Sequence, residues 1–304
     1  MAAAIRIGTC SWADESLTKL FYPPGVKGAE ERLRYYADRF DTVEANSTYY
    51  RLPEERLVER WAAMLPDGFV MHVKAFGLMT RHPVKAQALP PDLRGEVAVD
   101  DRGRVDRPSR EIRAEVFRRF LAALEPLREA GKLGGILMQF PPYVVPKPAS
   151  YEYFEWAGEQ LAGHEMLVEL RHKSWFEQPE ETLAFLEEHG MTYVTVDAPP
   201  EVIPLVVGRT SGTAYVRFHG RNRATWFKRT GSTAERFDYL YSPAELREWA
   251  GTLRKLEEDA TVVYAMFNNN GRSPGTEIPR DLLGGHAEVA QAPTNAAMLK
   301  EILG

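Results

Sequence analysis

Residues 134–143 read GGILMQFPPY, a stretch that begins as a strand and then stops abruptly. Ile136, Leu137 and Met138 are what a strand uses when helices cover its sheet on both sides and neither face meets water. Gln139 ends the apolar run. Pro141 and Pro142 follow almost at once, and proline has no N–H to give a neighbouring strand, so the ladder ends there. Gly134 and Gly135 lead in, marking a place where another group approaches the backbone closely. The whole reads as a barrel wall with Gln139 at its C-terminal lip.

Seven further β-rich runs surround this one: IRIG (5–8), TVEA (42–45), FVMHVK (69–74), MLVEL (166–170), TYVTV (192–196), AYVRF (214–218) and TVVYAMF (261–267). Longer stretches of helical periodicity separate them, including 29–40, 53–65, 109–131 and 242–259. Pro53 suits a first helical position, and Ser242 followed by Pro243 is an N-cap and first-turn pair. Eight β/α alternations in 304 residues predict one α/β domain, a (β/α)8 TIM-type barrel spanning 1–304. An open doubly wound sheet is the alternative, but GTCSW after the first strand lacks its glycine-rich turn. Residues 75–107 have little apolar periodicity and several prolines. They are expected to form a long loop insertion after strand 3, on the C-terminal face, either a functional lid or a solvated excursion.

The chain is 44% hydrophobic and 27% charged, a composition compatible with a sizeable core. It has no apolar run of membrane-spanning length, and its first residues lack the pattern of a secretory signal. Cys10 is the only cysteine, which excludes an internal disulfide and any multi-cysteine metal site. A cytoplasmic protein is expected, with no membrane partner. The net charge of −5 gives no global attraction to nucleic acid. Oligomeric state is not legible.

Barrel active sites lie at the C-terminal ends of the strands. Here those ends carry Glu44 and Asn46, His72 and Lys74, Gln139, Glu169 and Arg171, Asp197, Arg217 and His219, then Asn268, Asn269 and Asn270. Glu44, Glu169, Asp197 and His219 are the candidate acids and bases, since burial and neighbouring charge tune such groups widely. Asn46, Lys74, Gln139, Arg171, Arg217, Asn268 and Asn269 are the candidate binding groups. The cations favour a small anionic ligand, carboxylate or phosphate, with Arg221, Arg223 and Lys228 in reserve on the loop after strand 7. Each residue has a plainer reading: Gln139 as a polar cap, Glu169 with Arg171 as a structural ion pair, His72 as a hydrogen-bonded core histidine. Aromatic residues after the strand ends, among them Trp12, Tyr49, Tyr50, Tyr143 and Trp226, either stack on a ligand or pack the rim.

Glu44, Glu169, Asp197 and His219 could also hold a divalent metal, but no HxH or HExxH occurs, and that reading is not favoured. No organic cofactor is expected. Nucleic acid is an alternative partner because GRNRATWFKR (220–229) interleaves cations with aromatics.

Several segments together resemble one family. VEANSTYY (43–50), QFPP (139–142), VELRHKSW (168–175) and VRFHGRN (216–222) are specific in combination, and IRIGTCSW, FNNN and APTNAAML extend the likeness from Ile5 to Leu303. The chain resembles the domain of unknown function 72 (YecE-like) family. That resemblance implies a (β/α)8 barrel, likened at fold level to endonuclease IV, a metal-dependent DNA-repair enzyme. It carries over Glu44, Asn46, Thr48, Lys74, Gln139, Glu169, Arg171, Arg217, His219, Gly220, Asn268, Asn269 and Asn295. The stretch between FNNN and APTNAAML is longer here than the family pattern implies. The expected function is an enzyme acting on a phosphate-bearing or otherwise anionic substrate, of hydrolase type. A nucleic-acid-binding or metal-dependent phosphodiesterase reading and a non-catalytic small-molecule binder are the alternatives.

Overall fold

Eight parallel strands close on themselves in sequence order: β1 (Ala4–Thr9), β2 (Thr42–Ala45), β3 (Val70–Lys74), β4 (Leu133–Gln139), β5 (Met166–Glu169), β6 (Thr192–Asp197), β7 (Thr213–Phe218) and β8 (Val262–Phe267), with β1 pairing to β8. The structure is a computed structural model and describes residues 4–226, 236–274 and 287–304. Outside the wall lie α1 (Glu15–Leu20), α2 (Ala29–Ala37), α3 (Glu55–Met64), α4 (Arg110–Glu129), α5 (Pro148–Gln160), α6 (Pro179–Glu188), α7 (Arg223–Trp226), α8 (Pro243–Asp259) and α9 (Gln291–Leu303). The chain is therefore a (β/α)8 TIM-type barrel.

Alternation along each strand decides what the barrel encloses. On β7, Ala214, Val216 and Phe218 join the core between wall and helices, while Tyr215 joins a separate apolar cluster inside the barrel. On β8, Val263, Ala265 and Phe267 face out and Tyr264 and Met266 face in. Continuing the same alternation, Arg217, His219 and Asn268 fall on the inner face above that apolar floor.

Gly134 and Gly135 form a β-bulge. Met71 pairs with Leu133 and Val73 with Ile136, so His72 alone on β3 faces two residues of β4. A bulge leaves a backbone N–H without a ladder partner. His72 Nδ1 accepts that proton from Gly135 N at 2.9 Å. The ring is buried edge-on between Tyr264, 4.3 Å away, and Tyr215, 4.9 Å away. A Cβ on Gly134 would lie 2.5 Å from His72 Nδ1, and one on Gly135 would lie 2.5 Å from Leu167 Cγ. Gly134→Ala is expected to cost about 1–3 kcal/mol, the usual cost of overpacking. An unchanged urea midpoint would show that the bulge has room.

Helix boundaries follow local chemistry. Ser242 accepts from Glu245 N at 3.3 Å and the Glu245 carboxylate accepts from Ser242 N at 2.9 Å, a capping box that starts α8 with Pro243 in its first turn. Pro53 lies just outside α3, whose N-cap is Glu54. Eight alternations predict a helix in every connection, but residues 198–212, between β6 and β7, contain none. Pro199, Pro200 and Pro204 deny that stretch a continuous helical ladder. A small antiparallel pair, β9 (Arg272–Pro274) and β10 (Glu288–Ala290), precedes α9.

The segment after β3 is folded over the C-terminal face. Phe76, Leu78, Met79, Val84, Leu89 and Leu93 are buried, and Val99 bridges to Val105. Arg113 of α4 donates to Leu78 O at 2.7 Å, and Tyr153 of α5 donates to Met79 O at 2.7 Å. Among the described residues no helix is long and apolar enough to cross a membrane.

Candidate active site

The floor of the mouth is a buried guanidinium. Arg217 Nη2 donates to Glu44 Oε1 at 2.7 Å, and Nη1 donates to Glu169 Oε2; all three side chains are inaccessible. Tyr215 donates its hydroxyl to the second Glu44 oxygen at 3.1 Å. The fork geometry of arginine suits this position, since two carboxylates from strands on opposite sides of the barrel must meet one cation.

Glu169 is the more crowded carboxylate. Its Oε1 accepts from Gln139 Nε2 at 2.9 Å and from His219 Nε2 at 3.2 Å, and pairs with Arg171. Burial alone would raise its pKa; Arg171, Arg217 and His219 reverse that and hold the carboxyl well below the usual range. Such a group is ionised but a poor base. His219 is held on its other nitrogen by Asn268 Nδ2, 2.9 Å from Nδ1. Burial first, and then Arg171, push its pKa down to about 3, so the ring is neutral.

Lys74 stands where the buried cluster meets solvent. Its Nζ donates to Gln139 Oε1 at 3.0 Å and lies 4.6 Å from the centre of the Tyr49 ring. Gln139 thus links the Lys74 ammonium to the Glu169 carboxylate. Burial, then Arg217, lower the Lys74 pKa to about 8, against the opposing pull of Glu44 and Glu169. Arg171, with 13% of its side chain exposed, shares this edge. Asn46, just after β2, donates to Cys10 O at 2.5 Å, while its buried Oδ1 has no partner among the described residues. Cys10 itself is buried and free.

Eight candidates therefore converge on one network: Glu44, Lys74, Gln139, Glu169, Arg171, Arg217, His219 and Asn268. Three others do not join it, the first being Asn46, whose amide bonds the Cys10 carbonyl instead. Asp197 points outward between wall and helix, accepting from Arg221 Nε at 2.8 Å and Nη2 at 2.9 Å and from Trp249 Nε1 at 2.6 Å. The inward residues of β6 are Val194 and Val196, so period-2 alternation turns Asp197 away from the mouth. Asn269 is likewise one residue out of phase. Its Nδ2 donates to Tyr239 O and to Asn295 Oδ1, both at 2.8 Å, and Asn295 in turn bonds the Tyr241 backbone, so these amides fasten α9 to the end of β8. Arg221 is committed to Asp197 and Glu245, and Arg223 to Glu201. Lys228 and the rest of 227–235 lie outside the described residues.

Sequence reasoning missed His82. It comes from the long segment after β3 and packs edge-on against Tyr49 at 5.1 Å. Burial first, and then Lys74 and Arg171, lower its pKa to about 4, which places it in the same electrostatic environment. No periodicity pointed to it; the only signal was a histidine at the start of a long loop on the active face.

The whole length of the barrel matches one family model, described as protein of unknown function DUF72, over residues 6–304. The chain belongs to the DUF72 family. The UPF0759 protein YunF of Bacillus subtilis is 30% identical to it over 288 residues, covering 92% of this chain and 93% of that protein. Among solved structures, the DUF72 protein TM1631 of Thermotoga maritima is 30% identical, with a TM-score of 0.74 over 99% of each chain. The DUF72 protein EF0366 of Enterococcus faecalis is 24% identical, with a TM-score of 0.73 over 99% of this chain and 98% of that one. SacUVDE, at 8% identity and a TM-score of 0.51 over 99% of this chain and 98% of that one, shares the barrel fold alone.

In this DUF72 chain the carboxylates and imidazole considered as metal ligands do not form a metal centre. Glu44, Glu169 and His219 converge on the Arg217 guanidinium, which occupies the point where a cation between them would sit. Among the described residues no three His, Cys, Asp or Glu side chains are arranged to hold a metal ion.

Proposed function

We propose that this chain is an enzyme acting by general acid/base chemistry on a phosphate-bearing or otherwise anionic substrate, seated in the barrel mouth on Lys74 and Arg171. The observation that supports this reading is a charge imbalance. Three cations, Lys74, Arg171 and Arg217, face two carboxylates, Glu44 and Glu169, while His219 is neutral. Burying an excess cation is costly unless an anion joins it. The excess sits at the open edge: Lys74 is bonded to a neutral amide, and Arg171 keeps part of its side chain exposed. Phosphate or carboxylate oxygens match both donors. Glu44 and Glu169, with their oxygens already occupied by donors, position the floor and leave proton transfer to groups at the rim.

Calorimetric titration with inorganic phosphate at pH 7 tests the reading. Lys74→Met is expected to weaken binding at least tenfold, about 1.4 kcal/mol or more. Because the amine titrates near pH 8, affinity should fall as pH rises through that value, and binding near pH 8 should take up a proton. If phosphate, pyrophosphate and small carboxylates all leave the wild-type protein silent, the anion site is wrong. Screening phosphodiesters and sugar phosphates for turnover then separates an enzyme from a binder.

A further inference from the structure

The proposed anion site lacks a base, because Glu169 is too acidic and His219 is bonded on both ring nitrogens and inaccessible. His72 is likewise buried, with Nδ1 committed to Gly135. A further histidine in the field of these cations is His82, and its Nδ1 is hydrogen-bonded to Thr80. Thr80 has a single hydroxyl proton, and its oxygen lies 3.2 Å from Gly77 O. The same hydroxyl oxygen lies 2.8 Å from His82 Nδ1. The role inferred below requires Thr80 to accept there, with Nδ1 carrying the hydrogen and Nε2 the lone pair. Among the described residues no donor meets Nε2.

The backbone around this pair is tightly set. His82 N donates to Gly77 O at 2.9 Å and Gly77 N donates to Tyr49 O at 3.0 Å. Between them Arg81 adopts a left-handed φ of 65°, unusual for a residue with a side chain. The ring rests edge-on against Tyr49, whose face also receives the Lys74 ammonium. Imidazole and amine therefore flank one tyrosine at the edge where the anion would bind.

We infer that His82 is a catalytic residue of this mouth, its Nε2 accepting a proton from a hydroxyl, of water or of the substrate, held beside the bound anion. The inference rests on the anion-site reading above. In the step, the O–H bond breaks, the proton moves to Nε2, and the electron pair stays on the oxygen, which becomes the nucleophile. The charged groups that act on His82 are Lys74 and Glu169, at the ends of β3 and β5, and Arg171 just beyond β5; the two cations suppress its basicity and Glu169 partly restores it. A substrate anion lying on Lys74 and Arg171 cancels part of their field. Binding thus raises the basicity of the imidazole at the moment a base is required.

Nitrogen-15 imidazole NMR of the full chain tests this, using inorganic phosphate as the probe and His82→Gln to assign the signal. At pH 7 the free protein should show His82 as the Nδ1–H tautomer. Saturating phosphate should raise its pKa by at least one unit, and Lys74→Met should abolish that rise. An Nε2–H tautomer, or a pKa unmoved while calorimetry shows phosphate bound, overturns the role of His82 and leaves the anion site standing. Silence toward phosphate, pyrophosphate and small carboxylates alike removes the anion site and this role with it. On any substrate the wild type turns over, His82→Gln should lower kcat by about 10²–10⁴ while its phosphate affinity is retained. A lost affinity with kcat unchanged would make His82 a binding residue instead.

Discussion

Arg217→Met should destabilise the protein by about 3–5 kcal/mol, the cost of breaking a buried ion pair by removing one partner. Methionine fills much of the same volume, so packing loss is minor and the effect reports the charge. Glu44 and Glu169, both inaccessible, would face each other across the barrel with no cation between them. Tyr215 would still donate to Glu44, and Arg171, His219 and Gln139 would still hold Glu169, so Glu44 carries most of the penalty. The penalty relative to the wild type at the same pH should therefore shrink as the medium is acidified, because protonation relieves a buried unpaired carboxylate. Arg217→Lys should rescue little, since one ammonium cannot span two carboxylates as a fork does. Glu44→Gln added to Arg217→Met should restore part of the loss. Urea midpoints at pH 7 and pH 5 measure all four proteins. A loss below about 1 kcal/mol, the range of exposed ion pairs, would mean that the trio is hydrated.

The sequence exposed the barrel and most of this network because both obey simple periods. Arg217 and His219, Lys74 with His72, and Glu44 with Asn46 are each two residues apart, so one inward member implies the other. The same rule turns out Asn269: it neighbours Asn268, and adjacent strand residues face opposite ways. Asp197 was harder, because β6 is buried on both faces and its phase cannot be read from composition. The β6–β7 connection breaks the β/α alternation, and its prolines carried that signal. His82 was invisible for a different reason. Its position depends on a hydrogen-bonded turn anchored by Gly77, Thr80 and Tyr49, which has no period to detect.

Acid should unfold this barrel in a window set by its buried histidines. His72 and His219 are neutral when folded, each pushed down to about 3, chiefly by burial; Arg6 and Arg171 respectively add to the shift. In the unfolded chain both return to about 6.5. Between these values the unfolded state binds more protons, so stability falls as pH falls from about 6.5 toward 3. Each histidine contributes a slope approaching about 1.4 kcal/mol per pH unit, so the pair reaches at most about 2.7. Glu169, held well below its ordinary value, adds to the loss once pH drops below about 4.5. By pH 5 the histidines alone should remove on the order of 4 kcal/mol, a large share of the stability of an ordinary domain. Urea unfolding at half-unit steps from pH 7.5 to 4.5 measures the slope. His72→Gln should lower stability at pH 7 but flatten the measured slope by up to about a third, since His82, lowered to about 4, also adds to it, and glutamine still offers an acceptor to Gly135 N–H and takes up no proton. A wild-type profile level from pH 7 to 5 would mean that both imidazoles remain hydrated and exchange protons freely in the folded barrel, contrary to their burial beside Tyr264 and Glu169.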